Sequence, residues 1–199
     1  MPLRVFIAAA LSALAMFVWG FVFWGPAMNM TPRLMAPLPA DRELDVLAPL
    51  RAADAADGIY IYPGPMPAAG DDAANAAWEK KMADGPLVFM AYQSAGKSPM
   101  EAKTLALGFL HSFVIALLAG ALLAMVAPAL PRYGSRVALL ALASLIAALW
   151  TPIGDMIWWF HPPRYAFGAI TYMLVAGLLM SAITAAIVKP SNSPQLPAP

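Results

Sequence analysis

Four stretches of this chain are almost entirely apolar, and they alternate with segments that carry nearly all of its charge. Leu105–Val126 and Tyr165–Val188 contain no charged side chain, and each is longer than twenty residues. A helix rises about 1.5 Å per residue, so about twenty residues cross a hydrocarbon core about 30 Å thick. Val5–Trp24 has the same character, and Val137–Trp150 is a shorter run. The pattern predicts a mainly α membrane protein with four transmembrane helices.

The hydrophilic stretch 25–103 separates the first apolar run from the second. It holds ten of the eleven acidic residues and seven of the twelve basic ones. Its turn residues and short apolar runs predict a small α/β insert. The expected elements are a short helix after Asp41, a strand over Gly58–Pro63, a helix from Asp71 to Gly85-Pro86, and a strand over Leu87–Tyr92.

These boundaries divide the chain into four parts. They are a first transmembrane helix (1–24), the insert (25–103), a three-helix membrane region (104–188, with helices at about 104–127, 137–159 and 165–188) and a Pro/Ser-rich tail (189–199) for which we expect disorder. The third helix must extend beyond Trp150 to span a membrane, which places Pro152 inside it as a kink. A re-entrant helix is the alternative for this segment.

The positive charges of the short loops predict the orientation of the chain. Arg4, Arg132, Arg136 and Lys189 fall on one side of the four helices, and Arg164 falls on the other. Because cytoplasmic loops are enriched in Lys and Arg, both termini are expected in the cytoplasm. The insert is then periplasmic, and the expected location is a bacterial inner membrane.

The N-terminal run has some features of a signal peptide, since a basic residue precedes it. It is longer than the usual apolar region of such peptides and ends in bulky Phe21, Phe23 and Trp24. We therefore expect an uncleaved helix. Cleavage near Gly25-Pro26 stays open as an alternative.

Composition narrows the classes of function. The chain is 61% hydrophobic and 12% charged, whereas soluble domains are about 45–50% and 25%. Its net charge of +1, with scattered basic residues, argues against a nucleic-acid partner. The absence of cysteine excludes disulfides, thiolate metal ligands and thiol catalysis in this chain.

Small residues recur at every fourth position in two of the apolar runs, which is typical of close helix–helix packing in membranes. The set comprises Gly108, Ser112, Ala116, Gly120 and Ala124 in the second helix, and Gly177, Ser181 and Ala185 in the fourth. Packing within one chain is the favoured interpretation. An interface with another subunit is the alternative.

Asp155 is the one carboxylate near the membrane, and intramembrane ionisable groups are functional candidates. The second and third helices run in opposite directions, so His111 and Asp155 fall at similar depth, roughly 5–12 Å below the outer surface. A hydrogen-bonded pair of these side chains is one hypothesis. It would serve a structural role or form a proton, ion or metal site.

Two further sets of residues raise the question of a cofactor. His111 and His161 both lie toward the outer face and are weak candidates for haem b or metal binding. Thioethers of Met28, Met30 and Met35 are candidate ligands for copper(I). The same residue types also serve as interfacial and packing residues, and no cofactor is predicted.

The sequence favours a non-enzymatic membrane interaction or accessory subunit. Its expected partners are the lipid bilayer and other membrane or periplasmic proteins, which the insert would contact. The main alternative is a copper- or haem-handling protein that uses His111, Asp155 and His161. A small oligomeric permease is the second alternative, and an enzyme with its active site in the insert has the least support, because no catalytic motif is present.

Overall fold

The computed structural model describes residues 3–53, 55–98 and 100–190. Within these residues the chain forms seven α-helices, two β-strands and a short 3₁₀ turn. The helices are α1 (Leu3–Trp24), α2 (Thr31–Leu34), α3 (Glu43–Ala52), α4 (Asp72–Asp84), α5 (Ala102–Val126), α6 (Tyr133–Trp158) and α7 (Pro163–Ile187); the strands are β1 (Gly58–Tyr62) and β2 (Val88–Tyr92), and the turn is Ala127–Ala129.

The predicted fold class is confirmed. The chain is mainly helical, and α1, α5, α6 and α7 are each long and apolar enough to cross a membrane, which makes this a multi-pass membrane protein. A small two-stranded insert lies between α1 and α5. The third span is a continuous helix of 26 residues with Pro152 inside it. The expected disorder of the tail concerns residues that, after Pro190, lie outside the described part of the chain.

The four long helices pack as an open row rather than as a closed bundle. Helix α1 packs against both α5 and α7, and α6 packs against α7. Helices α5 and α6, at the two ends of the row, barely touch each other. The row is therefore open between α5 and α6.

Small residues allow the close approaches in this row. A Cβ atom added to Gly120 of α5 would lie 3.1 Å from a methyl carbon of Val5 in α1. A Cβ atom added to Gly177 of α7 would overlap Cβ of Ser144 in α6. Glycine at these positions lets the helix backbones approach each other closely, which is how dispersion contacts form between helices in lipid.

Apolar and polar contacts together join the helices of the row. Near the end of the row opposite the insert, the side chains of Val5, Leu123 and Leu140 are at most 1% exposed. In the same region the hydroxyl oxygens of Ser12 and Thr184 are 3.1 Å apart and share a hydrogen bond. Buried hydroxyl pairs of this kind link helices where no water is available to bind them.

Arg136 is buried in the first turn of α6, at the end of the row opposite the insert. Its guanidinium group donates to the carbonyl oxygen of Ala185 at 3.2 Å, and to the carbonyl oxygens of Leu130 and Pro131 at 3.0 and 2.8 Å. These acceptors lie in the last turn of α7 and in the loop after α5. One side chain therefore ties three segments together.

In the insert, α2 and α3 are followed by β1, α4 and β2, and the two strands pair antiparallel, with Gly58 opposite Tyr92. The predicted helix after Asp41, the helix from Asp71 and the two strands are present as α3, α4, β1 and β2, whereas α2 was not predicted. Asp71 caps α4 by accepting a hydrogen bond from the backbone N–H of Ala74, and Gly85 follows the last residue of α4. The indole of Trp78 donates to the carbonyl oxygen of Gly64 at 2.7 Å, which fixes α4 to the segment that follows β1.

Two apolar contacts dock the insert onto the membrane helices. The ring of Phe89 in β2 lies 5.6 Å from the rings of both Trp159 and His161, measured between centroids. The side chain of Leu34 in α2 packs on Gly168 of α7 so closely that a Cβ atom there would clash with it. The insert is thus held at one end of the helix row.

Candidate ligand-binding groove

A chamber of about 210 Å³ lies inside the helix row, and all four long helices contribute to its wall. Its wall is mostly apolar, with four polar side chains and no charged carboxylate, lysine or arginine. The lining residues are Met16, His111, Ser112, Ile115, Ser144, Ala147, Tyr172, Met173, Ala176, Gly177 and Met180.

A wider groove of about 920 Å³ lies next to the chamber and opens at the end of the row that carries the insert. It is lined by the last turns of α1, the segment that follows it, and the first half of α5. The lining residues are Phe17, Gly20, Phe21, Trp24, Gly25, Pro26, Thr31, Met100, Gly108, His111, Ser112 and Tyr172.

His111, Ser112 and Tyr172 line both the chamber and the groove, so these three residues form the neck that connects the two spaces. Two of the three polar groups are not engaged by the protein. Ser112 donates its hydroxyl hydrogen to the carbonyl oxygen of Gly108 at 3.1 Å. Within the described part of the chain, neither the His111 imidazole nor the Tyr172 hydroxyl makes a hydrogen bond or ion pair. Both remain available to a ligand.

Contacts with α1 fix the position of Tyr172. The indole N–H of Trp19 donates to the carbonyl oxygen of Tyr172 at 3.1 Å. The rings of Phe23 and Trp24 pack against the Tyr172 ring at centroid distances of 5.4 and 5.6 Å. Because Gly20 has no side chain, the tyrosine hydroxyl rests directly against α1. The neck is therefore built on a rigid contact between α1 and α7.

The neck lies inside the apolar zone. His111 is six residues into the uncharged run of α5 that begins at Leu105, which corresponds to a depth of about 9 Å. On the far side of the chamber, the buried cluster that contains Val5, Leu123 and Leu140 fills the row. The space is therefore blind at that end and open at the insert end.

Asp155 and His111, which the sequence places at similar depth, have separate surroundings. The carboxylate of Asp155 lies 4.0 Å from Nδ1 of His161, and the backbone N–H of His161 donates to the Asp155 carbonyl oxygen at 3.3 Å. A left-handed turn at Phe160, with φ of 63°, brings His161 back onto the end of α6. Since α5 and α6 barely touch, the hydrogen-bonded pair of His111 and Asp155 does not form.

The candidate cofactor residues are dispersed. His161 packs between Phe89 and Tyr165 and shares no lining residue with the neck that contains His111. Met28 and Met35 are exposed on either side of α2, and Met30 precedes its first residue. No group of three His, Asp or Glu side chains among the described residues is arranged to hold a metal ion.

The eight small residues at every fourth position lie along the contacts of the row. Ala116, Gly120, Gly177, Ser181 and Ala185 are buried, whereas Gly108, Ser112 and Ala124 are half-buried. A Cβ atom on Gly108 would lie 3.4 Å from the ring of Phe17 in α1. These positions face neighbouring helices of the same chain.

Sequence reasoning did not single out Tyr172 or Phe89. A signal for Tyr172 exists in the sequence, because a tyrosine nine residues inside the start of α7 lies deeper than an interfacial aromatic belt requires. Every residue of β2 is apolar, so no sequence pattern distinguishes Phe89 as a docking residue from a core residue.

Comparisons of the chain with protein-family models, with curated proteins and with solved structures gave no match.

Proposed function

We propose that this protein is a non-enzymatic membrane protein that binds an amphipathic, lipid-like ligand in the chamber between α5 and α6 and in the adjoining groove beside α1 and α5. The observation that carries the proposal is the neck. It presents the His111 imidazole and the Tyr172 hydroxyl, both without a protein partner among the described residues, inside the apolar zone of the helix row.

The energetics of polar groups in a membrane support a bound molecule at this position. A hydrogen-bonding group that faces hydrocarbon without a partner is unfavourable by roughly 2–7 kcal/mol, depending on the reference state. Two such groups at one neck favour an occupant that supplies complementary polar atoms. The mostly apolar chamber beyond the neck suits the tail of the same molecule.

The shape of the space favours binding over passage. The chamber is bounded by the buried cluster near Val5, so a molecule that enters from the insert end has no exit at the other end. The loop charges favour a periplasmic insert in a bacterial inner membrane, with both termini in the cytoplasm. In that orientation, the ligand enters from the outer leaflet or from the periplasm.

The test is to identify the small molecules that co-purify with the protein in mild detergent, by mass spectrometry of an organic extract. Wild-type protein should retain close to one lipid-like molecule per chain. Ala147→Phe should lose it, because Ala147 lines the chamber and is exposed, so that the added ring fills the space without displacing buried side chains.

Ala138→Phe is the matched control. Ala138 is also exposed on α6 but is nine residues away, half a turn around the helix from the chamber wall. It should retain the wild-type amount of ligand. A wild-type extract with far less than one lipid-like molecule per chain would refute the proposal. Equal retention by Ala147→Phe would refute it as well.

A second candidate function is the membrane interaction or accessory subunit, with β1 of the insert as the contact. The sheet has only two strands among the described residues, and Ile59 of β1 is 63% exposed. An unpaired strand edge with exposed apolar residues is a common site for another chain to add a strand. A photo-crosslinker at Ile59 should give one defined adduct in membranes, and the same group at exposed Glu79 should give none. Diffuse labelling at both positions would count against this function.

A further inference from the structure

We infer that the ligand of this site is an isoprenoid quinone, with its ring at the neck and its tail in the chamber. The inference rests on the proposed function and specifies the class of the ligand. Three properties of the neck carry it: its depth, its lack of formal charge, and the arrangement of its two free polar groups on different helices.

The depth of the neck distinguishes between classes of lipid ligand. The polar headgroups of ordinary membrane lipids lie outside the hydrocarbon core, whereas His111 lies about 9 Å inside the apolar run of α5. A ligand whose polar part lies at that depth must have a weakly hydrated headgroup. The carbonyl-bearing ring of a quinone meets this requirement, and a phosphate-bearing headgroup does not.

The lack of charged side chains at the site favours the same class of ligand as its depth does. No Lys, Arg, Asp or Glu lines the chamber or the groove among the described residues. An anionic headgroup would leave its charge unpaired in a medium of low dielectric constant, which is strongly unfavourable. An uncharged ring needs only hydrogen bonds.

The free polar groups suit two carbonyl oxygens. His111 on α5 and Tyr172 on α7 come from different helices, and each can donate a hydrogen bond from its ring N–H or its hydroxyl. A quinone ring has two carbonyl acceptors on opposite sides. Adjacent Met16 and Met173 provide adaptable apolar contacts, and sulfur packs favourably against ring edges.

The experiment uses the full-length protein in phosphatidylcholine nanodiscs with decylubiquinone labelled with carbon-13 at its two carbonyl groups. Infrared difference spectra report hydrogen bonding to each carbonyl as a shift to lower frequency. We expect two shifted bands that empty nanodiscs do not give. His111→Leu and Tyr172→Phe should each remove one shifted band and weaken binding about three- to tenfold.

Matched controls use the same substitutions outside the neck. His161→Leu and Tyr165→Phe, at the insert end of α6 and α7, should leave both shifted bands in place. His111→Gln, which retains an N–H donor, should recover most of the binding that His111→Leu loses. If the controls remove the bands as well, the ring does not lie at the neck, and the inference is wrong.

The outcomes separate this inference from the proposed function. If the protein co-purifies with a lipid-like molecule but gives no shifted quinone bands, the ligand class is wrong and the binding function stands. Dioleoylglycerol, added at the same mole fraction, tests the nearest neutral alternative, and its preferential binding would also overturn the quinone assignment. If no lipid is retained and no band shifts, both proposals fail.

Discussion

Arg136 offers the sharpest test of how the helix row is held together. Its guanidinium group is buried at 4% exposure and joins α6 to the last turn of α7 and to the loop after α5. Arg136→Met retains most of the apolar stem and removes all three hydrogen bonds. Arg136→Lys retains the charge but has no planar fork, so it can reach only one of the two groups of acceptors.

The geometry sets the magnitude of the effect. A hydrogen bond to a charged group contributes about 1.5–3 kcal/mol to stability. Three bonds at the lower value amount to about 4.5 kcal/mol. Water can reach the loop carbonyls of Leu130 and Pro131 once the side chain is gone and restores part of this, which leaves about 3 kcal/mol for Arg136→Met. Arg136→Lys should lose about half as much, since it retains one of the two anchors.

The assay is equilibrium unfolding in mixed micelles with increasing dodecyl sulfate, followed by tryptophan fluorescence. Arg132→Met is the matched control, because Arg132 is exposed and its side chain makes no capping hydrogen bond at the start of α6. It should change the free energy of unfolding by less than about 0.5 kcal/mol. Wild-type stability in Arg136→Met, or an equal loss in Arg132→Met, would refute the argument.

Three further predictions concern the packing and the insert. Gly177→Ala should destabilise the protein by about 1–3 kcal/mol because its Cβ overlaps a neighbouring helix, whereas Gly154→Ala, which has open space, should be neutral or slightly stabilising in the same unfolding assay. Hydrogen bonds from the backbone N–H and hydroxyl of Ser94 lower the pKa of Asp57. Because this folded-state pKa is below the ordinary value of about 3.9, the stabilisation is present at neutral pH and should be lost only as the pH falls through the lowered pKa. The protection factors of the β2 amides against exchange should therefore fall below about pH 4 in the wild type, and a pH-independent ratio of protection factors between wild type and Asp57→Ala would contradict this. Phe89→Ala should release the insert from the helix row and speed its proteolysis several-fold without unfolding the long helices, and unchanged cleavage would count against docking through Phe89.

Much of the fold follows from local signals that act over a few residues. The capping residue Asp71 and the closing Gly85 determine the limits of α4, and these signals are visible in the sequence. Length and hydropathy identify the four long helices, because a chain segment in a membrane satisfies its backbone hydrogen bonds within a helix. The run Val137–Trp150 is too short to span a membrane, so the length requirement extends the third helix through Pro152, as the structure has it.

The neighbour relations of the helices could not be predicted in the same way. The prediction of a His111–Asp155 pair assumed that helices at equal depth are also adjacent. In the structure, α1 and α7 separate most of α5 from α6, and Asp155 lies beside His161 instead. Depth follows from position in the sequence, but adjacency depends on how side chains of all four helices fit together. Tyr172 was missed for the same reason, because its position beside His111 at the neck depends on which helices are adjacent.

The order of the helices also explains why the chamber exists at all. Glycines such as Gly120 and Gly177 let the two helices at each contact approach each other closely. These residues lie at the α1–α5 and α6–α7 contacts, so the close packing is concentrated at the two ends of the row. The pair α5 and α6 has no comparable close contact, and the chamber lies between them. Replacement of Gly177 by a larger residue should therefore destabilise the fold of the single chain. Replacement of Ala147 by a larger residue should instead reduce ligand binding in the chamber and leave the fold intact.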